Sequence, residues 1–208
     1  MARPKAFDVE EALEAAMEAF WAHGYEATSV NDLTRAMGVQ KASLYATYGD
    51  KHRLFLATLE RYGAHEREIL SKALAGGSPK AAIASVFAAA TACPDPDSSR
   101  RGCFVVNAAA EVGPHDVPAA EVLRRHVAGL ERLFADAVAR ARSRGEIAEG
   151  VAPLAIARAL VAALYGIAVL KKIDPRHPRL EAAAAAAMGL LDARRISAPR
   201  AAVERRRP

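Results

Sequence analysis

Residues 28–51 read TSVNDLTRAMGVQKASLYATYGDK, and no other stretch constrains the fold as much. Ser29 followed by Asp32 has the spacing of a capping box, which opens a short helix carrying Leu33 and Met37. Gly38 allows the left-handed turn that ends it. A second short helix follows, from about residue 41 to 48, and Gly49-Asp50 breaks it. Leu33, Met37, Val39, Leu44 and Tyr48 are placed to form a small core between these two helices and the one before them. The second helix then keeps a face with no core role, offering Lys41, Ser43, Tyr45 and Thr47.

The flanking segments read as helices too. Asp8, with Glu11 three residues on, caps a first helix. Its Val9, Ala12, Leu13, Ala16, Met17, Phe20 and Trp21 fall at three/four spacing, and Gly24 stops it. Asp50 caps a fourth helix that carries Leu54, Phe55, Leu59 and Tyr62 and reaches Gly76-Gly77-Ser78-Pro79. Further helices are predicted near 80–92, 103–112, 118–143, 153–172 and 178–193, with a loop over 94–101. No strand pattern appears, aromatics are few and alanine is abundant, so the predicted class is all-α. The division expected is a three-helix unit over 1–52, a helical regulatory and dimerisation domain over 53–195, and a disordered basic tail over 196–208.

The net charge of +5 is no argument for nucleic acid. Residues 1–53 hold six basic and eight acidic groups, whereas residues 194–208 hold six arginines and one glutamate. No stretch reads as a membrane span, and the N-terminus lacks the apolar core of a signal peptide. A cytoplasmic protein with no membrane partner is expected. Two cysteines, Cys93 and Cys103, do not make a disulfide scaffold. His115, His126 and His177 are too scattered for a metal, and no cofactor motif is present. No nucleophile–base pairing supports a helical enzyme.

Two short helices at a tight glycine turn are the layout of a helix-turn-helix, whose second helix enters the DNA major groove. Lys41, Ser43, Tyr45 and Thr47 can then donate to phosphates or base edges. Ser29 stands at a helix N-terminus, where backbone N–H groups favour a phosphate. The alternative is a bundle corner without a ligand, in a helical protein that binds only small molecules or protein partners.

The string resembles the signature of the TetR family of regulators. Asp32-Leu33, Gly38-Val39, Leu44-Tyr45, Tyr48 and Lys51 match, as do Ala16, Phe20, Gly24 and Tyr25 before them. Thr34 departs where the family usually has alanine, and Gln40 where a capping serine is common. The resemblance implies a DNA-binding repressor with Ser29, Lys41, Ser43, Tyr45 and Lys51 at the DNA. Tyr45 and Lys51 hold phosphates in that scheme, and Lys41 and Ser43 sit nearest base edges. It also implies a homodimer on a near-palindromic operator, with half-sites roughly 34 Å apart. The helix over 153–172 is apolar nearly all round, with Arg158 as its only charge before Lys171, and so needs cover on every side. An intersubunit four-helix bundle is one cover and an internal core position the other.

An effector cavity for a small molecule of unknown identity is implied as well. Phe104, Phe134 and Tyr165 are candidate walls, and Asn107 and Glu111, one turn apart, are candidate polar contacts. Another side chain is the alternative partner for those two. Cys103 falls at a predicted helix N-terminus after Arg100-Arg101, an environment that favours thiolate. The Arg-Gly-Cys start also looks like that of oxidant- and electrophile-responsive members of the family. Cys103 is therefore a candidate redox sensor with Cys93 as resolving partner. The alternative is a buried inert thiol.

Overall fold

The structure, a computed structural model, describes residues 7–150 and 152–192. The expected basic tail over 196–208 lies outside the described residues. Among the described residues there are ten helices and no strand. They are α1 (Val9–His23), α2 (Val30–Met37), α3 (Lys41–Tyr48), α4 (Lys51–Ala75), α5 (Pro79–Thr91), α6 (Pro96–Ser99), α7 (Phe104–Glu111), α8 (Val117–Ser143), α9 (Pro153–Ile173) and α10 (Arg179–Gly189). The loop expected over 94–101 holds one short helix, α6. The caps follow the chemistry of their residues. Asp8 accepts from the backbone N–H groups of Glu10 and Glu11. The Ser29–Asp32 capping box is closed in both directions. Gly38 ends α2 in the left-handed conformation at φ +65°. Asp50 caps α4 and Ser78 caps α5, with Pro79 in the first turn of α5.

Two cores hold the chain together. One joins α1–α3 and the start of α4 to α7 and the start of α8, and it is rich in rings. Phe20 and Phe55 meet edge to face at 5.1 Å, and Phe104 meets Phe55 at 6.0 Å and Tyr62 at 5.8 Å. The other joins the end of α4 to α5, α8, α9 and α10, and it is aliphatic apart from Phe87 and Phe134. Helix α4 passes without a break through residues 52 and 53 and contributes to both cores.

Helix α9 corrects one expectation. It is long and apolar enough to cross a membrane by length and composition, with mean hydropathy 2.0. Only 28% of that stretch is buried within the protomer. Leu154, Val169 and Ile173 of α9 are 46%, 45% and 65% exposed.

Candidate nucleic-acid interface and cavity

Leu44 is the one fully buried residue of α3, and it anchors the helix in the first core. The opposite face is open. Lys41, Tyr45 and Thr47 are exposed and Ser43 is half-buried. Their side chains make no hydrogen bond or ion pair with other described residues. Tyr45 is 46% exposed, an aromatic with a hydroxyl standing free on the surface. At the end of the helix, the Tyr48 hydroxyl donates to the carbonyl of Val9 and ties α3 to α1. Gln40 occupies the N-cap of α3 without a side-chain cap, and the Thr34 hydroxyl is satisfied by the carbonyl of Asn31.

Ser29 and Lys51 flank this face with prior engagements. The Ser29 hydroxyl donates to Asp32 Oδ2 at 2.6 Å, and its backbone N–H donates to the same oxygen at 3.1 Å. That hydroxyl contact holds the Asp32 carboxyl below its usual range. A carboxylate thus already sits where the sequence placed a phosphate. Lys51 Nζ lies 4.3 Å from the centre of the Tyr25 ring, a cation–π contact that steers the ammonium at the start of α4.

Polar ties bind this unit to the rest of the chain, two of them through the acids at the end of α7 and the start of α8. Glu111, at the end of α7, accepts from the backbone N–H groups of Tyr25 and Glu26 at 3.0 and 2.9 Å. Gly24, at φ +83°, is what lets it approach, since a Cβ there would stand 2.8 Å from Glu111 Oε2. His52 Nε2 meets Asp116 Oδ2 at 2.7 Å, and Asp116 also caps α8. Asn107 has partners of its own. Its amide donates to the carbonyl of Arg101 and its oxygen accepts from Lys172 Nζ.

A cavity of about 780 Å³ lies where the two cores meet. Met17 and Trp21 of α1 form one side, Leu70 of α4 and Val86 of α5 another. Leu130 and Val161 extend the apolar wall. Tyr62, Glu66, Cys103 and Tyr165 supply polar atoms. The Tyr165 hydroxyl is buried with no hydrogen-bond partner among the described residues. Burial pushes the Tyr62 and Tyr165 hydroxyls above their ordinary range, helped next by Cys103 at Tyr62 and by the Glu66 carboxylate at Tyr165. Of the side chains named from sequence, Tyr165 and Cys103 reach the cavity. Phe104, Asn107, Glu111 and Phe134 do not line it. Phe104 and Phe134 are packed inside the first and second cores, and Asn107 and Glu111 are spent on the contacts above. Trp21, Tyr62 and Glu66 carry no signal of this role in the sequence, because their spacing is that of ordinary core and surface positions.

The surroundings of Cys103 favour the thiol over the thiolate. Burial, then the neighbouring Glu66 carboxylate, pushes the thiol up to about 11. Tyr62 donates to Sγ at 3.6 Å, and the helix N-terminus gives only partial relief. The two arginines before it turn elsewhere. Arg100 donates to the carbonyl of Ile173, while Arg101 pairs with Glu18 and lies 4.3 Å over the Trp21 ring.

An open recognition-type helix held by a small core and tied to a helical body is the layout of a one-chain DNA-binding regulator. Residues 12–58 match the family of bacterial regulatory proteins of the tetR type, and residues 79–188 match the tetracyclin repressor-like C-terminal domain. The HTH-type regulator YezE of Bacillus subtilis is 33% identical over 195 residues, 92% of this chain and all of that one. The HTH-type transcriptional repressor ComR of Escherichia coli is 37% identical over 150 residues, 70% of each chain. A cysteine mutant of the TetR family regulator CifR, solved on a 26bp double-strand operator DNA, superposes with a TM-score of 0.78 at 31% identity. That match covers 90% of this chain and 98% of CifR. The chain belongs to the TetR family and is a DNA-binding transcriptional regulator.

Proposed function

We propose that the protein is a cytoplasmic, homodimeric repressor that leaves its operator when a small, mainly apolar effector fills the cavity between the cores. The observation that carries this reading is that α1 serves both ends. Its Met17 and Trp21 line the cavity, and its Phe20 packs in the core that holds α2 and α3. An effector that displaces α1 or α4 changes how the two α3 helices of a dimer are spaced, and with it operator affinity. The tyrosine hydroxyls and Glu66 favour an effector with a hydrogen-bonding group at one end. At the DNA we assign Lys41, Ser43, Tyr45 and Thr47 to direct contact and Lys51 to a phosphate beside Tyr25. Ser29 acts through its cap on α2. The exposed apolar side of α9 supports dimerisation through α8 and α9, where a second copy would cover Leu154, Val169 and Ile173.

Release by cysteine modification is the second reading, favoured by one observation: Cys103 lines the same cavity. Its raised thiol requires a reagent that binds in the cavity first, rather than a freely diffusing oxidant. Binding to DNA from upstream of the protein's own gene, across a salt series and against a scrambled duplex, tests the main reading. Tight, selective binding with a steep salt slope is expected. Lys41→Ala and Tyr45→Ala should weaken it by about tenfold each. Equal affinity of both variants for every duplex tried would sink it.

A further inference from the structure

Helix α4 has two lined faces. Tyr62, Glu66 and Leu70 face the cavity, whereas Gly63, Ala64 and Arg67, offset by the helical period, face a separate groove against α8. That groove encloses about 750 Å³. Its walls hold four arginines, Arg61, Arg67, Arg125 and Arg132, against two carboxylates, Glu10 and Glu60. Those carboxylates have partners. Arg61 pairs with Glu10 and Glu14, and Arg125 with Glu60 and Glu121. Arg67 and Arg132 make no hydrogen bond or ion pair with other described residues.

Two glycines shape the floor. A Cβ at Gly63 would stand 2.7 Å from His126 Nδ1 and 3.3 Å from Arg67 Nη1, so both nitrogens converge over that glycine. A Cβ at Gly129 would stand 3.0 Å from Arg67 Cδ, so the arginine stem lies across α8 there, one turn from Arg132. His126 is 3% exposed, and its Nδ1 has no partner among the described residues. Its Nε2 lies 2.9 Å from Glu66 Oε2, close but too poorly aligned for a good hydrogen bond. A buried imidazole and two unneutralised guanidinium groups thus meet in one concave site. An unpaired guanidinium in such a place is satisfied best by an oxyanion that takes two of its donors.

We propose that the α4–α8 groove is a second ligand site that takes a small multivalent anion, carrying phosphate or carboxylate groups, between Arg67 and Arg132 over the Gly63–His126 floor. The site opens on the other face of α4 from the cavity, with the His126–Glu66 contact between them, and it can be tested without a cavity ligand. Nor does it require the DNA-reading face, so it can be measured without DNA.

The test is calorimetric titration of the full-length protein with inorganic phosphate and with citrate, at constant ionic strength set by chloride, so that general screening is held fixed. Saturable binding of at least one of the two is expected, and which one binds separates a phosphate ligand from a carboxylate ligand. Arg67→Gln and Arg132→Gln should each weaken it by about tenfold or more. Both side chains lie outside the cores, and an unchanged thermal midpoint without anion will show that the variants fold. Operator affinity without anion should also stay unchanged in both. Absence of saturable binding for both anions, or binding that survives the double substitution, would overturn the proposal.

Discussion

The two cores solve the same problem differently. The first is the richer in rings, and it fastens the DNA-reading helices to α7 and the start of α8, which lie far away in sequence. The second is built from alanine and aliphatic side chains, and it stacks long helices side by side. Rings at 5–6 Å make contacts with a preferred geometry, whereas aliphatic side chains interdigitate without one. The cavity lies at the junction, with Met17 and Cys103 from the first core and Leu70 and Val161 from the second among its walls. A molecule bound there meets one side that carries the DNA-reading unit and another that belongs to the long-helix body. The proposed coupling of sensing to reading runs through α4, which passes without a break from the DNA-reading unit to the cavity.

The largest effect comes from removing a ring of the first core. Phe104→Ala should cost about 3–5 kcal/mol in denaturant unfolding. It should also shift the emission of Trp21, the only tryptophan, whose ring lies 6.4 Å from Phe104. Phe134→Ala in the second core should cost a similar amount while leaving native Trp21 emission unchanged. Equal spectral shifts from both would erase the contrast between the cores. A smaller effect sharpens it. Glu111→Ala removes the acceptor for two backbone N–H groups at the α1–α2 turn, and about 1–3 kcal/mol is expected. Operator affinity should fall with it, although Glu111 is on the far side of the molecule's sequence from the DNA-reading helices. Unaltered affinity would mean that the turn holds itself.

Reactivity gives the third test. Alkylation of Cys103 by iodoacetamide, followed by mass spectrometry of its peptide, should accelerate up to about pH 11. An inflection well below the free-thiol value of about 8.5 would show an activated thiol and return the reagent-in-solution reading. The smallest effect lies at α2. Since Asp32 is held below its usual 3.8, its capping contribution is complete above that pH and is lost as the pH falls through the lower folded value. Asp32→Asn should therefore flatten the acid limb of the stability profile. An identical limb in the variant would show that the box adds nothing there.

Much of the fold was legible because its signals are local. Apolar spacing placed the helices, and Ser29 with Asp32 and Gly38 marked the ends of α2. What escaped depends on contacts between distant segments. The i, i+4 spacing put Asn107 and Glu111 on one helix face, but it carries no information on what each meets. One meets Lys172 and the other the turn at Tyr25. Arg100 and Arg101 adjoin Cys103 in sequence, yet their long side chains carry the charge away, and Glu66 from α4 sets the field at sulfur instead. In sequence α9 shows only a need for cover, because Arg158 interrupts its apolar run, whereas its mean hydropathy of 2.0 is that of a span.

The most direct test of the coupling is a linkage measurement with Trp21 as reporter. Small apolar compounds are screened for a saturable change in Trp21 emission, and the affinity of each hit is measured with and without operator DNA. The account predicts that a hit weakens operator binding, and that operator weakens the hit by the same factor, as linkage requires. Compounds that saturate the Trp21 signal and leave operator affinity untouched would contradict it.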